Sequence, residues 1–157
     1  MHTGTGFLVE VAGSGTARFA GSISGGGGVT PSGRQLELSG SNSHTGGTWV
    51  HHGTLVLDHA SAARSSGVTV ATEGTLAVGG ILEATVARLD LAPGGLVDVG
   101  RGGITVTAGL PVPGLVAALV AGRTGGSWTG PSGITSSVAA AEVAASVPRA
   151  VGWVDNG

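Results

Sequence analysis

Apolar residues in this chain alternate with small or polar ones in short bursts, the bursts are separated by glycine-rich joints, and they recur. Gly53-Thr54-Leu55-Val56-Leu57 returns as Gly74-Thr75-Leu76-Ala77-Val78 and, in weaker form, as Gly95-Leu96-Val97-Asp98-Val99, 21 positions apart each time. Between these copies runs a second column: Thr48 and Val50, then Val68 and Val70, then Leu89 and Leu91. Leu36 and Leu38 precede Leu55 and Leu57 by 19, so the period varies between 19 and 21. The variation falls in Gly/Ser-rich stretches, where a change of loop length costs little.

A period of 21 is also three heptads, but the chemistry is not that of a coiled coil. The units alternate with period 2, are rich in Val and Thr, and meet at glycines that would each cost a helix about 1 kcal/mol. They read as strands of about 4 to 6 residues, too short to close a core alone. Stacking solves this: each rung pairs its backbone with the rungs above and below at about 4.8 Å, and Leu55, Leu76 and Val97 pile into one interior column. The expected fold is all-β, a parallel β-solenoid over residues 1–110, with Gly53, Gly74 and Gly95 supplying positive φ or close backbone approach at the corners. From Pro111 the pattern changes. Residues 114–122 read as a short helix between Pro/Gly and Gly, and 136–147 as a second, N-capped by Ser136 or Ser137 and stopped by Pro148. Residues 111–157, with Trp128 and Trp153, are expected to form a short helical C-terminal cap over the last strand edges.

The run 36–57, LELSGSNSHTGGTWVHHGTLVL, resembles the autotransporter-associated β-strand repeat, also called the passenger-associated transport repeat, which reads roughly GTLTLSGxNTYTGGTxVxxGTL. Residues 19–25, FAGSISG, resemble the phenylalanine-containing strand that precedes that repeat, and residues 125–134, GGSWTGPSGI, are similar to C-terminal tails of surface repeat proteins from environmental bacteria. The resemblance implies a right-handed parallel β-helix in the secreted passenger of an exported bacterial protein. This sequence departs from the repeat at Arg34-Gln35, where Gly-Thr is usual, at His44, where Tyr is usual, and at Trp49. The chain is accordingly expected to be a piece of a longer parent, extracellular or on the cell surface, with flanking segments of that parent as its neighbours.

Composition narrows the function classes. With 32 Gly and 6 Pro among 157 residues the chain approaches disordered compositions, yet Leu, Val, Ile and Phe supply about a quarter of it, enough for a core. Aromatic residues are only 3 % and charged residues 10 %, so that core is stacked from aliphatics. The chain has no lysine, and its net charge is −2, which leaves no basic surface for nucleic acid. Absence of cysteine removes disulfides, thiolate metal sites and thiol catalysis. Residues 1–10 do not read as a secretory leader, and 109–122, the most apolar stretch, is too short and proline-broken to span a bilayer.

Candidate chemistry is sparse. His44, His51, His52 and His59 crowd one region, but none are spaced i, i+4 and only Asp58 is near enough in sequence to orient one. They are expected in solvated turns or facing outward, with no metal and no cofactor. A β-helix polysaccharide lyase needs grouped carboxylates, whereas Asp90, between Leu89 and Leu91, and Asp98, between Val97 and Val99, fall on different faces. Trp49 lies between Thr48 and Val50 and points outward if those two point in, which makes it a candidate sugar-stacking or protein-contact platform together with His51. The leading expectation is a non-enzymatic structural passenger segment. The alternative is a carbohydrate- or cell-surface-binding adhesin module using Trp49 and His51 on surface glycans or proteins, and a β-helix lyase ranks third.

Overall fold

The computed structural model of the chain describes residues 8–81, 83–147 and 149–155. The segment 1–7, read above for a leader, and Pro148, the expected helix stop, lie outside the described residues. Strands β1 (Leu8–Ala12), β2 (Thr16–Phe19), β3 (Gly28–Leu38), β4 (Thr48–Val50), β5 (His52–Leu57), β6 (Ala63–Val70), β7 (Gly74–Val78), β8 (Glu83–Leu91), β9 (Leu96–Asp98) and β10 (Gly103–Val106) come first. Helix α1 (Val112–Arg123), strand β11 (Gly133–Thr135) and helix α2 (Ser137–Ala144) follow. Every strand pairing is parallel. The chain is a parallel β-solenoid of about five turns with two short helices.

Its first face carries the expected column in register. Ala17 pairs with Leu36, Leu36 with Leu55, Leu55 with Leu76, Leu76 with Val97, and Val97 with Ile134. Leu36, Leu55, Leu76 and Val97 are wholly buried, and a leucine so buried contributes about 1.5–3 kcal/mol. The second face stacks Thr48 on Val68 on Leu89, and Val50 on Val70 on Leu91. A third face, which the repeats do not reveal, runs through Ala63, Val86 and Val106, with Ala84 paired to Ile104. The long strands β3 and β6 turn corners within themselves, and their registers shift between Ser32 and Arg34 and between Ala63 and Gly67.

Both expected roles for the corner glycines are seen. Gly53 has φ 91°, and a Cβ on it would lie 2.4 Å from the Arg34 carbonyl oxygen. Gly74 and Gly95 have no positive φ; there the constraint is space, since a Cβ would come 2.1 Å from the Val50 oxygen and 2.8 Å from the Val70 oxygen.

The first helix begins at Val112, two residues before the expected start, because Pro113 sits in its first turn, where a missing N–H costs nothing. In α2 the Ser136 hydroxyl accepts the Ala139 N–H at 2.9 Å, which is the expected cap. That helix ends at Ala144 rather than 147, because Ser146 takes a left-handed φ of 63° and the Val147 N–H folds back onto the Glu142 carbonyl at 2.7 Å. Between the helices, β11 pairs with β9 and so extends the first face by one strand. Helix α1 lies directly on β11: a Cβ on Gly122 would strike the Ile134 carbonyl. Trp128 is buried, and its indole N–H donates to the Arg149 carbonyl at 3.1 Å, which ties the C-terminal stretch to this end of the rod.

Candidate functional site

The outer side of the second face is where sequence reasoning places a binding surface. Trp49 is the middle residue of β4; its neighbours Thr48 and Val50 are fully buried, so alternation turns the indole outward, and it is partly exposed. The ring lies against glycines. A Cβ on Gly28, in the preceding rung, would stand 2.4 Å from Trp49 Cζ3, and one on Gly47 would stand 3.0 Å from Cη2. The backbone under the ring is pinned too, because the Thr30 hydroxyl donates to the Trp49 carbonyl. The parallel register then sets Thr69 beside Trp49 and Asp90 beside Thr69. Asp90 accepts two hydrogen bonds from the Arg88 guanidinium, at 2.6 and 2.7 Å, and this contact with its charge attraction raises the Arg88 pKa, keeping the guanidinium charged. The outer strip therefore carries an aromatic plane, a hydroxyl and a bidentate ion pair on successive rungs about 4.8 Å apart.

His51 is exposed at the corner between β4 and β5, two residues after Trp49. His52 opens β5, and its Nδ1 lies 3.1 Å from a Glu73 carboxylate oxygen. The Nδ1 of His59 accepts the Ser61 N–H at 3.0 Å. Among the described residues no three His, Asp or Glu side chains are grouped to hold a metal ion. Asp98 accepts the N–H groups of Gly100 and Ser137, at 2.9 and 2.8 Å. It stands in β9 on the first face, whereas Asp90 stands in β8 on the second, so the two carboxylates are not paired.

His44 differs from expectation: it is 1 % exposed rather than solvated. The stretch 41–45 is extended and bonded to the preceding rung through Ser43 N–H to the Ile23 carbonyl, 2.8 Å, and Thr45 N–H to the Gly25 carbonyl, 2.9 Å. Alternation puts Ser41, Ser43 and Thr45 outside and Asn42 and His44 inside. Asn42 spans two rung gaps at once: its Oδ1 accepts the Ile23 N–H and its Nδ2 donates to the Ala62 carbonyl, both at 2.8 Å. Such bridging satisfies a buried amide that would otherwise be costly.

The hydrogen-bond chain at His44 determines its tautomer. The Ser66 hydroxyl donates to the Gly67 carbonyl at 3.1 Å, so it accepts from the Thr48 hydroxyl, 3.1 Å away. Thr48 has then spent its proton and accepts from His44 Nε2–H at 3.0 Å. Nδ1 is left unprotonated and without a hydrogen-bond partner. Burial lowers the His44 pKa from its usual value, because it weakens the solvation of the charged ring. The unfolded chain takes up this proton first, so the stabilisation is complete above the unfolded pKa of about 6.5 and is lost as pH falls from there through the lower folded pKa. Thermal melts from pH 7 down to 5 are expected to show a drop in Tm that is smaller in His44→Gln. Equal drops in the two proteins would contradict this assignment.

Comparison with protein-family models, with curated proteins and with solved structures found no match to this chain.

Proposed function

We propose that this chain is a structural rod segment, a non-enzymatic piece of the passenger of an exported bacterial protein of the autotransporter-repeat kind, displayed outside the cell and continued by flanking segments of its parent. The observation that carries this reading is the unbroken aliphatic column from Leu36 through Leu55, Leu76 and Val97 to Ile134. Such a core grows by addition of rungs, so length and resistance to proteolysis come from the same contacts, and each rung has a finished template to fold on. The likeness of residues 36–57 to the passenger repeat supports the location. The test is to place the chain between the leader and the outer-membrane barrel of an autotransporter and add protease to intact cells. The expected result is a chain accessible to antibody from outside that yields to protease only at exposed turns and ends. A chain retained inside, or degraded throughout, would overturn the reading.

The strip of Trp49, Thr69 and the Asp90–Arg88 pair favours a second reading, a glycan-binding face. An aromatic plane for a sugar ring, with hydroxyl, carboxylate and guanidinium groups in line for its hydroxyls, has the chemistry of carbohydrate recognition. Retention on polysaccharide columns that drops about tenfold or more in Trp49→Ala would establish it. Unchanged retention, or none in the wild type, would leave the strip as a solvated face of the rod.

A further inference from the structure

Two flat groups stand in one line along the rod on the outer side of the second face. The first is the Trp49 indole. Gly47 beside it and Gly28 in the preceding rung have no side chains to prop the ring up, and Cβ atoms there would stand 3.0 and 2.4 Å from it, so the indole lies down against the sheet. The second is the fork in which the Arg88 guanidinium donates to both Asp90 oxygens, and such a bidentate pair is itself flat. The register from Trp49 through Thr69 to Asp90 sets the two groups two rungs, or about 9.6 Å, apart.

The rung between them is low. Val68 is buried, so Gly67 and Thr69 face outward, and Gly67, which pairs with Arg88, offers bare backbone. Charge along the line is neutral to negative. Arg88 is already paired with Asp90, and Glu10, exposed in β1 and in register with Thr30, adds a carboxylate on the far side of Trp49. A uronate or sulfated polymer laid here would meet carboxylates with no free cation to offset them among these residues.

We infer that this strip takes a neutral, straight β-1,4-linked glycan chain of the cellulose or chitin kind, lying along the rod axis, with one pyranose on Trp49, the next over Gly67 and Thr69, and the third at the Arg88–Asp90 pair. Successive rings of such a chain are turned over, so every second ring presents the same face and edge, and its disaccharide repeat is close to the length of two rungs. The ring on Trp49 stacks through an apolar face whose hydroxyls all point sideways. The ring two further on meets Asp90, which has acceptor capacity beyond its two bonds to Arg88, and the remaining guanidinium donors. A chain that curves, such as an α-1,4-linked or β-1,3-linked one, leaves the line after its first ring. The inference rests on the glycan-binding reading of the strip and adds to it the linkage, the charge and the direction of the chain.

The probes are cello- and chito-oligosaccharides of two to six rings, titrated calorimetrically into the whole chain beside maltohexaose, a β-1,3-linked glucohexaose and an oligogalacturonate. The expected result, in one or both β-1,4 series, is an affinity that rises about tenfold or more between two rings and four, with the other three sugars bound at least about tenfold more weakly than the hexamer. Gly67→Gln places a side chain in the path of the middle ring and leaves Trp49 in place; a Cβ there makes only ordinary contacts, 3.5 Å from Arg88 Cβ at the nearest. It is expected to weaken hexamer binding about tenfold or more while amides of β5 and β7 stay protected from exchange, which shows that the variant is folded. Should that protection be lost, Thr69→Gln, in the same rung, takes its place with the same expectation. Equal binding of the curved or acidic sugars, no gain with length, or undiminished binding by the folded rung variant would overturn the inference, and loss of that binding in Trp49→Ala would then leave the broader glycan reading standing. No binding of any of these sugars by the wild type would remove both.

Discussion

Leu76→Ala is expected to lower the free energy of unfolding by about 2–5 kcal/mol, and Thr75→Ala, one residue away, by about 0.5 kcal/mol or less. Leu76 is wholly buried in the middle of the first column, with Leu55 before it and Val97 after it, so truncation opens a cavity between two rungs that the hydrogen-bonded ladder holds at fixed spacing. Thr75 belongs to the same strand and the same ladder, but its side chain is on the other side and half-buried. The pair therefore separates loss of interior packing from disturbance of the strand. Denaturant unfolding with an unchanged m-value would measure both, and equal losses would contradict the assignment of inside and outside.

The second large effect is expected at a residue without a side chain. Gly74→Ala brings a Cβ to 2.1 Å from the Val50 carbonyl oxygen, and that oxygen is held in place because it accepts the Ala71 N–H at 3.0 Å. The corner can admit the methyl only by giving up that hydrogen bond or by separating two rungs, at a cost of about 1–3 kcal/mol. Gly26 is the control. It is exposed, has no positive φ and has nothing within 4 Å of where a Cβ would be, so Gly26→Ala should stay within about 0.5 kcal/mol of the wild type or stabilise slightly. Matching melting temperatures for the two variants would mean that the corner at Gly74 is looser than these distances require.

What could be read from the sequence follows from how strongly each interior position is marked. The first and second columns are legible because Leu and Val repeat at 19 to 21 residues with small or polar residues between them. The third face is not, since its inward positions include Ala63, Ala84, Asn42 and His44, and two of these are polar residues whose burial depends on hydrogen-bond networks that reach into other rungs. For Asn42 the partners are Ile23 and Ala62, and for His44 the chain runs through Thr48 to Ser66. Nothing local marks them. Strand β11 is hidden for another reason: Ile134 follows Val97 by 37 positions rather than 21, because α1 is inserted before the chain returns to the first face. At the candidate site, the outward turn of Trp49 follows from its flanking residues. Its seat against Gly28 and its alignment with Thr69 and Asp90 depend on the register between rungs, which only the fold supplies.

The stacking of rungs is tested most directly by methyl–methyl NOE measurements on a sample labelled at Leu and Val. The expected result is cross-peaks between neighbours in the first column, Leu36 with Leu55, Leu55 with Leu76 and Leu76 with Val97, and none between Leu36 and Leu76, which lie two rungs or about 9.6 Å of ladder apart. Missing neighbour cross-peaks in a folded sample, or a Leu36–Leu76 cross-peak as strong as the others, would contradict the solenoid and remove the basis for the rod.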